Sequence, residues 1–284
     1  MFGDQSKFDA YAASVPVSVE LLRQTLENEF GAAAKCRPVK PMNSYSQAIA
    51  WVHEETSEAA AVMMWGGVNP HPHVSVQSDR SIALAELLRR VHPAHRVARL
   101  DVCVDMVGDE LFDECFRAMA EVSSEFPRLK GKRVLGDDPE DGTTYYLGTR
   151  GSALYVRLYE KDKQLVKITG DPVWRSPPFR GWTRLELEVR PEKAFKSAAA
   201  YLAPDAFWGC SPWTRALAGR ILALHPEPIS MKPTRIADHE RAMRALAAQY
   251  GTTLRRHYER AGGREQFLAD LMHRLGLSEL QEAA

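Results

Sequence analysis

The chain carries the stretch Trp182-Thr-Arg-Leu-Glu-Leu-Glu-Val-Arg190, in which charged and apolar residues alternate. This period of two is typical of a β-strand with one face in a core and the other face turned away from it. The inward face of the predicted strand holds Leu185, Leu187 and Val189, and the outward face holds Arg184, Glu186, Glu188 and Arg190. The pattern predicts an amphipathic sheet whose second face has a task other than packing.

Two further segments alternate in the same way. The first is Arg99-Leu-Asp-Val-Cys-Val-Asp105, with Asp101 and Asp105 on one face. The second runs from Thr144 to Ser152 and continues into Val156-Arg-Leu-Tyr-Glu-Lys161, where Tyr155, Arg157, Tyr159 and Lys161 share a face. If these strands pair, one sheet face presents carboxylates for a hard cation, a tyrosine nucleophile and basic groups for phosphate. That combination points to metal-dependent phosphoryl transfer.

Tyr159 is the predicted nucleophile because it lies between two cations, Arg157 and Lys161, on the polar face. A phenol with its ordinary pKa of about 10 is a weak nucleophile and needs such help. Both cations could also hold the phosphate under attack. The alternative is that Tyr159 is an ordinary strand residue, since tyrosine favours strands in general. Tyr146 is the more plausible of the competing tyrosines.

Four carboxylates are candidate ligands for Mg²⁺ or Mn²⁺: Asp101, Glu186, Asp105 and Glu188. Such ions prefer carboxylate oxygens and retain part of their water shell. A salt-bridge ladder with Arg99, Arg184 and Arg190 is the alternative. Mid-strand carboxylates are unusual without a partner, so we favour the metal for Asp101 and Glu186. For Asp105 and Glu188 both interpretations stay open.

Contacts with a nucleic-acid backbone are predicted for Arg150 and Ser152 in a glycine-rich turn, and for Arg184 and Arg190 on the polar strand. The alternative for Arg150 and Ser152 is that they close the turn. The pair His71-Pro-His73 resembles a histidine metal motif, but Asn69-Pro-His-Pro is typical of a turn, and we favour the structural interpretation.

Hairpin-connected strands with helices inserted between them predict an α+β fold: a mostly antiparallel sheet with helices on one face and a small C-terminal helical region. We predict an N-terminal helical arm over 1–40, a catalytic domain over 41–224, and a proline-rich linker with helices over 225–284. The C-terminal helices are expected to break at Gly251 and at Gly262-Gly263. Their mixed charges assign them no specific role, and they could read an origin, dock a partner or dimerise.

The ordered motifs resemble those of the replication initiation factor family, the rolling-circle initiators of plasmids and phages with their related relaxases. The motifs are R-L-D-x-x-x-D at 99–105, T-x-Y-x-G-x-R-x-S at 144–152, R-L-Y-x-K at 157–161 and R-x-E-x-E-x-R at 184–190. The resemblance implies an enzyme that nicks one DNA strand with a tyrosine, stays attached to the new 5′ phosphate and needs a divalent cation. It also implies origin DNA as the substrate and a host helicase as a partner, and a homodimer is possible.

Composition limits these possibilities. Lys and Arg total 37 and so do Asp and Glu, so any DNA contact must depend on a local basic patch. Four widely spaced cysteines predict neither a disulfide framework nor a cysteine metal site. The sequence shows no secretory signal and no membrane span, so we expect a cytoplasmic protein. Two rivals to the nicking enzyme remain: a DNA-binding regulator that does not cut, and a metal-dependent nuclease that uses water.

Overall fold

The computed structural model of the protein describes residues 5–32, 34–136, 138–231 and 235–275. Within them the chain forms a ten-stranded sheet. Its strands are β1 Lys7–Ser14, β2 Lys35–Pro38, β3 Gln47–Val52, β4 Ala59–Trp65, β5 His73–Gln77, β6 Arg96–Val107, β7 Gly131–Leu135, β8 Thr143–Leu147, β9 Leu154–Glu160 and β10 Trp182–Val189.

The strand order across the sheet is β2-β3-β4-β5-β1-β6-β10-β9-β8-β7, and neighbours run antiparallel. The first strand in sequence therefore lies in the middle of the sheet, between β5 and β6. Strand β6 is the longest and pairs along its length with β1 and β10. This topology places the three alternating segments of the sequence on adjacent strands, because β6, β10 and β9 are consecutive.

Among the described residues, four helices lie in connections between strands and four follow β10. They are α1 Val19–Phe30, α2 Arg80–Val91, α3 Leu111–Glu125, α4 Lys161–Thr169, α5 Phe195–Ala198, α6 Pro212–Ile221, α7 Arg235–Arg260 and α8 Arg264–Arg274. Helix α1 begins where the Ser18 side chain accepts a hydrogen bond from the Leu21 N–H at 3.2 Å, a typical N-cap.

One face of the sheet packs against helices in an extended apolar core. Leu22 and Leu26 of α1, Leu84 and Leu88 of α2 and Met119 of α3 are fully buried in it. Each such side chain contributes roughly 1.5–3 kcal/mol to folding. The α+β prediction, an antiparallel sheet with helices, is confirmed. Helices α1, α2 and α3 cover one face, so the polar residues of β6, β9 and β10 lie on the other, where α4 borders them.

The predicted N-terminal helical arm agrees with the structure only in part. Residues 7–14 form the central strand β1, and only Val19–Phe30 is helical. Strand β1 escaped the prediction because a β-bulge interrupts its alternation: Phe8 pairs with Val102 and Ala10 with Asp101, so Asp9 is an extra residue. The short strands β2 and β7 were also missed, and each lies at an edge of the sheet, where one unpaired side weakens the apolar signal.

The chain divides into two compact units, Met1–Lys232 and Pro233–Ala284, so the boundary lies later than the predicted one at 225. The proline-rich segment before it belongs to the first unit, where the Ile229 N–H donates to the Gly209 carbonyl at 2.9 Å. In the second unit, α7 runs straight through Gly251, so a single glycine did not end the helix. The stretch Gly262-Gly263 does separate α7 from α8. No helix among the described residues is long and apolar enough to cross a membrane.

Candidate active site

The register of β6, β10 and β9 brings the three polar faces together. Arg184 on β10 lies opposite Asp105 on β6 and opposite Tyr159 on β9. Glu186 lies opposite Arg157. These faces border a polar cavity of about 350 Å³. Its charged lining consists of Asp9, Asp101 and Glu186 with Arg99, Arg157, Lys161 and Arg184. The lining thus holds one more cation than anion, although the whole chain has no net charge.

Tyr159 lies at the wall of this cavity and is 8% exposed. Its hydroxyl donates a hydrogen bond to Oε2 of Glu186 at 3.3 Å. Burial, reinforced by the Glu186 charge, raises the pKa of Tyr159 far above its ordinary value. The phenol is therefore protonated at neutral pH, and Glu186 is the group in place to receive its proton.

Lys161 lies next to Tyr159, although it is not on the strand as predicted. Strand β9 ends at Glu160, and Lys161 is the first residue of α4. Its Nζ lies 5.6 Å from the centre of the Tyr159 ring and donates to the Gln164 side chain at 2.9 Å. Burial and the nearby Arg184 charge lower the pKa of Lys161. Lys161 forms no ion pair with any described carboxylate, which leaves its charge available to an anion in the cavity.

Asp101 and Glu186 meet in space, as predicted. The Arg157 Nη2 contacts Glu186 and lies 3.5 Å from Oδ2 of Asp101. Both carboxylates are 2% exposed. The Nε of Arg157 is buried with no hydrogen-bond partner. An acceptor atom entering the cavity could satisfy that donor, because a buried unpaired N–H is costly.

The pKa of Glu186 lies well above the usual value of a carboxyl group. Burial raises its pKa to about 7, with Asp101 adding to the rise and Arg157 opposing it. Near neutral pH a substantial fraction of Glu186 is ionised and able to accept a proton, and the remainder is protonated. This is the range in which a carboxylate serves as a general base.

We expect this pKa to make folding stability depend on pH. Because the folded state holds a proton that the unfolded state releases, the free energy of unfolding should fall as pH rises from 4.5 to about 7, by about 3 kcal/mol at most. Glu186→Gln should flatten that decline, measured by chemical denaturation in EDTA across a pH series. Glu86→Gln, at an exposed position on α2, is the control and should leave the decline unchanged. An unaltered decline in Glu186→Gln would contradict the assignment.

Asp105 and Arg184 form a buried ion pair, which corrects two predictions. The Arg184 Nε and Nη2 donate to the two oxygens of Asp105 at 2.6 and 2.8 Å. Asp105 also accepts from Trp182 at 2.8 Å and lies 3.1 Å from the Lys7 ammonium. With 6% exposure, Arg184 is not available to a DNA backbone, and the oxygens of Asp105 are already occupied. This pair links β6 to β10 in addition to the backbone ladder between them.

Glu188 likewise follows the salt-bridge alternative. Its Oε2 lies 3.0 Å from Arg99, and its Oε1 accepts from the Arg190 Nε at 2.6 Å. Arg99 also donates to Asp101 at 2.9 Å. A ladder of alternating charges thus runs from β6 across β10, as expected for charged cross-strand neighbours. Glu188 is a member of the ladder, and the half-exposed Arg190 is its outer end.

The glycine-rich turn between β8 and β9 places Arg150 on the surface. Ser152 closes the turn, because its hydroxyl donates to the carbonyls of Thr149 and Leu154 at 2.7 and 2.6 Å. Gly148 has a φ of +88°, a conformation that side-chain-bearing residues rarely adopt. Arg150 is exposed and forms no ion pair with a described residue, so it can contact a phosphate. The Ser152 N–H also donates to the Thr149 carbonyl, at 2.9 Å, so both polar groups of Ser152 close the turn, as the alternative for this residue had it.

The two histidines lie apart from this cavity. His71 is exposed in the turn before β5, and His73 is the buried first residue of that strand. The rings of His73 and Tyr45 are 5.8 Å apart, and burial lowers the pKa of His73 to about 4. The structural interpretation of the Pro-His-Pro-His turn agrees with this placement, since neither histidine lines the cavity.

Sequence reasoning missed Asp9, which the bulge of β1 places at the cavity. Asp9 accepts from the Arg184 Nη1 at 2.8 Å. The signal in the sequence was that Lys7 and Asp9 are charged residues two positions apart, as on one face of a strand. In the structure Lys7 contacts Asp105, and Asp9 contacts Arg184. The sequence does not reveal the bulge, so nothing indicated that this short segment near the N-terminus lies in the middle of a sheet.

The donor chemistry fits a divalent cation held by two carboxylates. Among the described residues no group of three or more His, Cys, Asp or Glu side chains is arranged to hold a metal ion. Mg²⁺ is commonly held by one or two carboxylates, with waters and substrate phosphate completing its shell. Asp101 and Glu186 are the pair that could do so. Arg99 donates to both oxygens of Asp101 and Arg157 contacts both carboxylates, so a cation would have to displace these guanidinium groups. The closeness of the two carboxylates also raises the pKa of Glu186, which a cation would reverse.

Comparison with known proteins agrees with the sequence motifs. No curated protein matches the chain. Among solved structures, a rolling circle replication initiator protein from Geobacillus stearothermophilus has a similar fold, with a TM-score of 0.51 and 16% sequence identity over 81% of this chain and 99% of that one. Residues 95–208, which run from β6 past β10 and include nearly all of the site, match the sequence model of a family described as replication initiation factor. The resemblance drawn from the motifs is therefore confirmed: this segment carries the pattern of the replication initiation factor family.

Proposed function

We propose that the protein starts rolling-circle replication by cutting one DNA strand, with Tyr159 as the nucleophile. The observation that carries the proposal is the hydrogen bond from the Tyr159 hydroxyl to Glu186 inside a polar cavity, in a segment that matches replication initiators. Neither Tyr146 nor Tyr155 has its hydroxyl bonded to a described carboxylate, so Tyr159 is preferred among the three.

The reaction would proceed by transfer of a phosphoryl group. The Tyr159 oxygen attacks phosphorus while its proton passes to Oε2 of Glu186. The bond between phosphorus and the 3′ oxygen breaks, and that oxygen leaves as a hydroxyl after taking a proton from solvent. The products are a 5′ phosphate linked to Tyr159 and a free 3′ hydroxyl, from which a polymerase can extend. The phosphotyrosine link conserves the energy of the phosphodiester, so the strand can later be rejoined.

Two groups are in place to hold the phosphate. Lys161 brings a charge that no described carboxylate neutralises, and the buried Nε of Arg157 needs an acceptor. Charge-assisted hydrogen bonds to phosphate oxygens are strong in such a site. Arg157 also contacts both Asp101 and Glu186, so it would position the base as well as the substrate.

Asp101 and Glu186 would hold Mg²⁺ or Mn²⁺, which would polarise a phosphoryl oxygen when bound. We expect Mg²⁺ at a hundredfold excess over its Kd to stabilise the protein by ~2.7 kcal/mol. The measurement is thermal unfolding in EDTA and in Mg²⁺. Asp101→Asn should lose the shift, while Asp113→Asn, an exposed residue of α3, should keep it. An equal shift in both variants would place the cation elsewhere.

The function is tested by incubating the full chain with a supercoiled plasmid that carries its own coding region, in Mg²⁺ or Mn²⁺. We expect relaxed circles with protein attached, and mass spectrometry should map the DNA-linked peptide to Tyr159. A regulator that does not cut would bind the plasmid and leave it supercoiled. Because the nicked strand must be unwound for replication, a host helicase is the partner we expect. A homodimer stays a prediction.

A further inference from the structure

A pair of stacked tyrosine rings lies on the same sheet face as Tyr159. Tyr146 of β8 and Tyr155 of β9 have ring centres 5.5 Å apart and planes 10° from parallel. Both side chains are partly exposed. Tyr146 lies opposite Arg157 in the sheet register and lines the cavity with Tyr159. Each ring stacks on its partner through one face, and Tyr146 places the pair at the edge of the cavity that holds the proposed nucleophile.

Positively charged side chains lie near the stacked pair. The charges of Arg157 and Arg150 act on the Tyr155 hydroxyl, with Glu188 opposing them. Lys132 of β7 lies opposite Tyr146 in the register. Lys132 and Arg150 are exposed and form no ion pair with any described residue. Parallel aromatic rings beside unpaired cations are the combination by which proteins hold single-stranded nucleic acid, since bases stack on the rings and phosphates contact the cations.

We propose that Tyr146 and Tyr155 form a stacking site for an unpaired DNA base next to the phosphate that Tyr159 attacks, with Arg150 and Lys132 contacting the backbone. The inference rests on the proposed function and adds to it the two side chains that would hold a base beside the attacked phosphate. Stacking would fix the strand relative to Tyr159, because a base held on β8 and β9 limits where the adjoining phosphate can lie. The duplex offers no such base, so the site selects unpaired DNA.

The competing explanation is that the rings only stabilise the hairpin of β8 and β9 as a cross-strand pair. Substitutions that keep or remove the ring separate the two explanations. Tyr155→Phe retains a π face and should bind single strands within about twofold of the parent. Tyr155→Leu removes the face and should weaken binding roughly 5- to 150-fold, the loss expected for one stacked base. Tyr201→Leu, at an exposed tyrosine that belongs to no aromatic pair with a described residue, is the matched control.

The probe is an oligothymidylate carrying one aminopurine base, whose fluorescence is quenched by stacking. Measurements use the full chain with Tyr159→Phe, so that the strand stays uncut. In these measurements this chain is the parent. We expect quenching at one position of the label in the parent and in Tyr155→Phe, and none in Tyr155→Leu at matched thermal stability. Lack of quenching in the parent at saturating protein overturns the proposal, and so does normal binding by a folded Tyr155→Leu.

This outcome is separable from that of the proposed function. Fluorescence quenching in the parent and in Tyr155→Phe is measured without the leucine variant. The proposal can therefore still be overturned if Tyr155→Leu fails to fold. If the parent with Tyr159 forms the covalent adduct but shows no quenching, the stacking site is wrong and the nicking function stands. If quenching depends on Tyr155 but no adduct forms, the chain binds single strands and the proposed cleavage is wrong.

Discussion

Tyr159→Phe should abolish the covalent link to DNA and reduce nicking by on the order of 10⁴- to 10⁶-fold, the loss seen when an enzyme's nucleophile is removed. The phenylalanine ring fills the same space, and the lost hydrogen bond to Glu186 is long at 3.3 Å. We therefore expect the free energy of unfolding to change by no more than about 1 kcal/mol. The readout is the fraction of plasmid that is relaxed and the fraction that carries protein.

Tyr146→Phe is the matched control for this substitution. It removes a hydroxyl on the same sheet face but keeps the ring that stacks on Tyr155. We expect it to nick and to form the adduct. Three outcomes are informative. Full nicking by Tyr159→Phe would remove Tyr159 as the nucleophile, and an adduct on Tyr146 would move the assignment there. Relaxed DNA without attached protein would indicate a nuclease that uses water.

The pH dependence of nicking gives a second view of the same step. Glu186 must be ionised to take the proton of Tyr159, and burial raises its pKa to about 7. Activity should therefore rise with pH through that value in the absence of other limits. A cation held by Asp101 and Glu186 would favour the ionised form and move the rise to lower pH.

The period-two pattern predicted the polar face well. Because side chains alternate strictly along a strand, the residues that share the face of β6, β9 and β10 could be named from the sequence. The meeting of Asp101 with Glu186 followed from the assumption that these strands pair. The pattern could not predict which side chain each of these residues contacts on the neighbouring strands. Arg184, Glu186 and Glu188 look equivalent along β10, yet each finds a different neighbour across the sheet.

The features that the sequence did not predict depend on local details of single strands and helices. The bulge in β1 hid both the central strand and Asp9, since one extra residue reverses the parity of everything beyond it. The end of β9 at Glu160 moved Lys161 from a strand to a helix, although it stayed beside Tyr159. In the C-terminal unit, Gly251 remained inside α7, because one glycine costs only about 1 kcal/mol in a helix.

Arg184→Met should destabilise the fold strongly. Among the described residues it leaves the Asp105 carboxylate, 5% exposed, with Trp182 and Lys7 as partners. Removing one member of a buried ion pair costs about 3–5 kcal/mol when the remaining charge has no compensation. Because Lys7 compensates part of the Asp105 charge, we expect a loss at the lower end of that range. Chemical denaturation measures the loss. Arg220→Met is the control, since Arg220 pairs with Glu125 at the surface and such pairs are worth about 1 kcal/mol or less.

A double substitution tests the reason for the loss. Arg184→Met with Asp105→Leu should recover most of the stability, since a buried pair replaced by apolar residues of similar size is often neutral. The loss in Arg184→Met should also depend on pH. Burial raises the pKa of Asp105, but Arg184 outweighs burial and lowers it below 3.8. A lowered pKa stabilises the fold above the unfolded value and ceases to do so as pH falls through the folded one. The deficit of Arg184→Met should therefore be largest near neutral pH and shrink below about pH 3.8. If the variant is as stable as the parent but binds DNA weakly, Arg184 contacts phosphate as the sequence first suggested, and its ion pair with Asp105 does not stabilise the fold.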